Sequence, residues 1–276
     1  MSAVGPQARA HWSLADIPWQ ALQHDRAGAS EELFYMVASA SFMEATTGLY
    51  TRNLIDLFAG DDEIGGWLNQ HWLPEELQHG RALRHYVEAA WPEFDWDRAY
   101  RPFFEEFQQF CRLDELEPVR SLEMASRCVV EMGTATYYTA LSRASPEPVM
   151  SQLARHIADD EVRHYKHFYR YFRRYRAAEG ASGRGAVMAA LARRLRMTDG
   201  QDGFITVKHV YAHRHPDTPF DDRAYRALRR RCRDFVGAHF PHRMAVRMLL
   251  KPLGLGARTQ RLAEPIVTAV SRCIAP

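Results

Sequence analysis

Thiol pairs are missing from this chain. It has four cysteines, Cys111, Cys128, Cys232 and Cys273, and none stands with another as C-x-x-C. That excludes a zinc ribbon, a rubredoxin-type iron site and a redox dithiol. Long apolar runs are also missing: no segment approaches the roughly 18–20 apolar residues that span a bilayer. The opening stretch "MSAVGPQARAHWSLADIPW" has no apolar stretch of the kind a secretory signal needs. Strand-like alternation is almost absent. So is a large charge of one sign, since 36 basic and 34 acidic residues leave a formal +2. That balance predicts neither a nucleic-acid nor a membrane partner. Together these absences predict a soluble, reduced, cytoplasmic protein.

What is present is helix. The 276 residues, 46% hydrophobic, suffice for one sizeable core or a core with a subdomain. Residues 1–29 read as an irregular N-terminal arm. Ser30 can cap a helix whose first turn carries Glu31 and Glu32, and Gly60 is its stop. A second helix opens at "DDE" (61–63) and runs to Trp91-Pro92, with a kink expected at Pro74. A shorter helix near 96–113 follows, then long helices over about 118–144 and, after "SPEP", to about Glu179. "GASGRG" (180–185) is a plausible boundary, and shorter helical pieces follow it, separated by turns such as "TDGQDG". The expectation is an all-α chain. Its parts are the arm (1–29), a bundle of four long helices (30–179) and a helical C-terminal extension (180–276) packing on that bundle.

Two short motifs carry the chemistry. Glu76-Leu77-Gln78-His79 and Glu161-Val162-Arg163-His164 each place a carboxylate and an imidazole three residues apart, on one helix face. Alone, such a motif is as well explained by a solvated turn. The other two long helices each carry a glutamate among apolar or small residues: Glu44 in "ASASFMEATTGLY" and Glu131 in "SRCVVEMGTATYY". Glu44 and Glu76 each lie 16 residues from Gly60; Glu131 lies 14 before Ser145, and Glu161 lies 15 after Pro146. In an antiparallel hairpin equal arms bring both residues to one height, roughly 20–25 Å above the turn. Two hairpins packed together would bring four glutamates and two histidines to a single layer. Four buried carboxylates repel and lose hydration unless cations offset them. Two divalent ions would cancel the charge, and oxygen and imidazole ligands suit iron or manganese. This is the ligand pattern of ferritin-like di-iron carboxylate bundles.

The residues around the ligands narrow the resemblance. Trp72, Glu75, Glu76 and His79 form W-x-x-E-E-x-x-H; Asp160, Glu161, Arg163 and His164 form D-E-x-R-H. Glu131 and Thr134 form E-x-x-T, and Glu44, Ala45 and Tyr50 form E-A-x-x-x-x-Y. Over about residues 30–178 the chain resembles the soluble acyl-carrier-protein desaturases. The resemblance implies two irons held by Glu44, Glu76, His79, Glu131, Glu161 and His164, with O2 as co-substrate; a manganese–iron pair is the alternative. It further implies that Asp160 orients a ligand histidine, that Thr134 steers proton delivery, and that Trp72 supports the site more weakly. Residues 180–276 do not resemble the family's C-terminal region.

The activity implied is O2-dependent attack on an unactivated C–H bond, most directly desaturation or hydroxylation of an acyl chain on a carrier protein. An N-oxygenase acting on a small amine or aromatic is an alternative, and iron storage or peroxide protection is a third. The N-oxygenases add a third histidine. His167 lies three residues after His164, whereas His156, five before Glu161, turns about 140° away from that face. Tyr137, Tyr138, Tyr165 and Tyr169 read as packing aromatics. The expected partners are an electron donor of the ferredoxin or reductase kind, an acyl carrier protein and a second copy of the chain in a homodimer. The basic runs "RHYKHFYRYFRRYR" and "RAYRALRRRCRDF" read as solvated faces or as docking surfaces for an acidic partner.

Overall fold

The computed structural model describes residues 12–179, 183–198 and 201–274, and among these residues every regular element is helical. The expected arm before residue 12, residues 180–182 of "GASGRG", residues 199 and 200 of "TDGQDG", and the Cys273 side chain lie outside the described residues. In chain order the helices are α1 (His24–Gly28), α2 (Glu31–Ala45), α3 (Thr47–Leu57), α4 (Asp62–Trp67), α5 (Leu73–Ala90), α6 (Trp96–Phe107) and α7 (Arg120–Ala144). They continue with α8 (Pro148–Ala178), α9 (Arg184–Thr198), α10 (Gln201–Arg214), α11 (Asp222–Gly237), α12 (His242–Leu250) and α13 (Ala257–Ile274). No helix among the described residues is long and apolar enough to cross a membrane.

The chain forms two compact units. One comprises Met1–Glu115, Glu147–Val149 and Ile205–Phe220. Its frame is α2 packed on α5. Ala45 meets Gly80, and Phe34 meets Trp91 with ring centroids 5.2 Å apart, so the two helices run antiparallel. Ser30 caps α2 as expected, accepting the Leu33 amide, and Gly60 adopts φ +87°, the left-handed conformation that lets glycine end a helix. An aromatic group of Phe42, Trp96, Tyr100 and Phe103 packs α6 against α2, and the Trp96 indole donates to Ser41 Oγ at 2.8 Å. Glu147 is wholly buried. It accepts from the Gln23 amide (3.2 Å), the Val149 amide (3.2 Å) and the Tyr86 hydroxyl (2.9 Å).

The other unit comprises Leu116–Pro146, Met150–Phe204 and Asp221–Pro276. At the turn between α7 and α8, Ser142 Oγ donates to Ser151 O (2.7 Å) and Ser151 Oγ to Ser142 O (2.5 Å). These paired bonds lock the hairpin. α9 and α12 pack on α7, and α13 packs on α12. Tyr165 donates to Met248 O at 2.6 Å. On the buried face of α7, Arg127 and Glu123 form an ion pair at 2.8 Å, and Glu123 also accepts the Glu117 amide at 2.9 Å.

Three elements differ from the sequence expectation. The helix expected over 30–60 breaks at Thr46, one residue past Ala45. There the Thr46 amide (3.1 Å) and hydroxyl (2.6 Å) both donate to Met43 O, a tight turn that closes α2. The helix expected over 61–91 is not α-helical throughout. A π-helical turn, Leu68–Trp72, joins α4 to α5, and Pro74 follows it in the first turn of α5. The shorter helix, expected to reach about 113, ends at Phe107.

Candidate metal centre

Each ligand-bearing helix presents its acidic residue to the interior. Glu44, Glu76, Glu131 and Glu161 are all buried, none more than 6% exposed, and so are His79 and His164. Glu44 is the penultimate residue of α2. That end of a helix carries the negative pole of the peptide dipoles, which disfavours a carboxylate unless a cation offsets it. Glu76 and His79 sit in the first turns of α5, directly after the π-helical turn, a local widening frequent at functional sites. Glu131 lies mid-way along α7, and Glu161 and His164 lie mid-way along α8.

The ligand atoms converge. Glu44, Glu76, His79 and Glu161 each offer one atom, and these atoms lie within 4.8 Å of one another; the same holds for Glu76, Glu131, Glu161 and His164. All six residues singled out by spacing are therefore brought together, and Glu76 and Glu161 belong to both groups. His164 Nδ1 lies 3.5 Å from Glu131 Oε2 and 3.8 Å from Glu161 Oε2. Glu131 Oε2 is buried and accepts no hydrogen bond among the described residues. Burial pushes the Glu131 carboxyl up to about 8; the nearby Glu161 carboxylate adds to the rise and His164 opposes it. A buried set of oxygens and imidazoles in which the Glu131 carboxyl resists ionising is one that a cation completes. The donor set therefore fits two hard or borderline divalent ions.

Comparison with family models, curated proteins and solved structures finds no match.

The neighbours of the ligands fall as follows. Thr134 Oγ1 lies 2.7 Å from Glu161 Oε2, closer than to the Val130 (3.3 Å) or Glu131 (3.2 Å) carbonyls, so its hydroxyl donates to the carboxylate rather than serving only its own helix. Asp160 is buried and forms an ion pair with Arg163. Trp72 is buried in the π-helical turn. His156 and His167 are half-buried on α8, and neither belongs to the two ligand groups. Tyr165 is held by its bond to Met248 O and stacks on Tyr169 with centroids 6.2 Å apart. Cys128 is a free, buried thiol.

Two residues at the site escaped the sequence reading. Trp12 lies parallel to His79, ring centroids 6.1 Å apart, and its carbonyl accepts from Gln78 Nε2 at 3.0 Å. Trp12 belongs to a stretch read as an arm, and nothing in its spacing links it to His79. Gly80 follows His79 within α5, where a Cβ would stand 2.9 Å from the Ala45 nitrogen. A glycine inside a helix, next to a ligand, is the signal that points to such an approach.

Proposed function

We propose that the chain is a ferritin-like, O2-dependent di-iron oxidoreductase that attacks an unactivated C–H bond, desaturating or hydroxylating an acyl chain borne on a carrier protein. The observation that carries this reading is the buried ligand set, four glutamates and two histidines in two overlapping groups. Glu76 and Glu161 are common to both groups, so two ions held there would share them; Glu44 and His79 would serve one ion, and Glu131 and His164 the other. Two irons held there supply the electron-transfer chemistry with O2 that amino-acid side chains lack. Desaturation takes two hydrogens from the chain and, with two electrons and two protons from outside, reduces O2 to two waters. Hydroxylation consumes the same electrons and protons and releases one water.

The residues of the chain contribute orientation, dryness and proton control. Thr134 donates a hydrogen bond to Glu161 Oε2 and so holds a proton beside a shared ligand. Trp12 covers the His79 ring. An external donor of the ferredoxin kind would supply the electrons. The carrier reading draws on charge. Residues 221–276 hold twelve basic and four acidic residues, a formal +8, against −6 for the rest of the chain. Arg223, Arg226, Arg229, Arg230, Arg231 and Arg233 of α11 are all exposed. An acidic carrier is the partner such a surface steers.

The test is reconstitution of the purified chain with iron(II), followed by electrons, O2 and acyl-carrier substrates, with products read by mass spectrometry. The expected result is two irons per chain and a product lighter by two hydrogens or heavier by one oxygen. Glu76→Ala with Glu161→Ala should abolish both. A metal content far from two per chain, or one unchanged in the double variant, sinks the reading.

A further inference from the structure

Gly80 occupies the closest approach of α5 to α2. A Cβ built there meets backbone and not a movable side chain: Ala45 N at 2.9 Å, Ala45 Cα at 3.1 Å and the Glu44 carbonyl carbon at 3.1 Å. Real Cβ contacts essentially never fall below 3.0 Å. Any side chain at this position therefore drives the two backbones apart, because close-packed backbone has no slack to absorb a methyl group. The contact point is also where the ligands are. Gly80 follows His79 and lies one helical turn after Glu76, and the atoms it touches belong to Glu44 and its neighbour. Gly133, two residues after Glu131, makes an internal comparison: a Cβ there meets nothing within 4 Å.

We infer that Gly80 is a positioning residue for the metal centre, setting the reach between Glu44 and the Glu76–His79 pair, and that the two ions therefore depend on it unequally. This rests on the metal-binding reading above. Glu44 and His79 belong only to the first ligand group, while Glu131 and His164 belong only to the second. Moving α5 off α2 opens the first group along the Glu44 side. The second shares only Glu76 with the displaced helix and keeps Glu131, Glu161 and His164, which are carried by α7 and α8.

The test loads the metal-free full-length chain with manganese(II), following stoichiometry by equilibrium dialysis and spin coupling by electron paramagnetic resonance. The wild type and Gly133→Ala should each bind two ions and show the multiline signal of a coupled pair. Gly80→Ala should bind one ion tightly and the second at least tenfold more weakly, with the six-line signal of an isolated ion. Circular dichroism checks that its helix content is retained. Should Gly80→Ala fail to fold, Glu44→Asp takes its place: it retracts the carboxylate by about 1.5 Å and leaves the packing alone. It should lose the same ion. Two tightly bound, coupled ions in Gly80→Ala, or in Glu44→Asp where that variant stands in, overturn the inference. A wild type that binds no manganese overturns the metal reading itself.

Discussion

Glu131 combines a buried carboxyl, a like-charged neighbour in Glu161 and an oxygen without a hydrogen-bond donor. In the metal-free chain its carboxyl is pushed up to about 8, whereas in the unfolded chain it titrates near the ordinary value of about 4.5. Below pH 4.5 both states are protonated. As pH rises from there to 8 the unfolded chain releases this proton first, so the group costs the folded state increasing stability. The metal-free melting temperature should therefore fall between about pH 5 and 8, and Glu131→Gln should flatten that slope in scanning calorimetry with chelator present. Metal should reverse the trend, because a bound cation displaces the proton. The residues of this site were legible because their spacing is rigid: three residues on one helix, equal arms on one hairpin. Gly80 and Trp12 were not, because a contact made through bare backbone or through a distant segment leaves no period in the sequence.

Among the elements, helix existence was legible and helix interruption was not. The apolar and small residues of 33–45 run on past Glu44, so nothing in the pattern marks Thr46 as a break; its hydroxyl and amide sharing one carbonyl decide it. Pro74 was read as a kink because proline removes an amide. The chain sets it in the first turn of α5 and places the irregularity in the π-helical turn before it. α7 gives the sharpest energetic test at this scale. Arg127 and Glu123, four residues apart, are paired and almost fully buried. Removing one partner strands the other charge away from water. Arg127→Met should lower stability by roughly 3–5 kcal/mol, and Glu123→Leu added to it should restore most of the loss. Urea unfolding of the two variants checks both signs. A double variant no more stable than the single would show that the pair's net attraction, and not the stranded charge, dominates.

For the molecule as a whole, the near-zero net charge conceals a division: the last 56 residues are strongly basic and the rest is mildly acidic. The all-α class was legible from composition and helix signals. The grouping of the chain into two units was not, since each gathers segments distant in sequence, and "SPEP" shows why. A charged turn reads as exposed, yet Glu147 is wholly buried and holds Gln23, 124 residues away, and Tyr86, 61 away. Such separations bear on the order of events in time. Closing a loop of that length is entropically costly before any contact repays it, so this three-bond clasp belongs after the rate-limiting step of folding. Glu147→Ala, stranding the Tyr86 hydroxyl, should cost roughly 3 kcal/mol, nearly all of it appearing as unfolding accelerated about a hundredfold, with refolding almost unchanged. Stopped-flow measurement of both limbs reads this directly; a slowed refolding limb would instead place the clasp in the nucleus. The carboxylate thus acts as a latch on lifetime: it governs how long the folded chain persists and leaves the speed of its formation to α2 and α5.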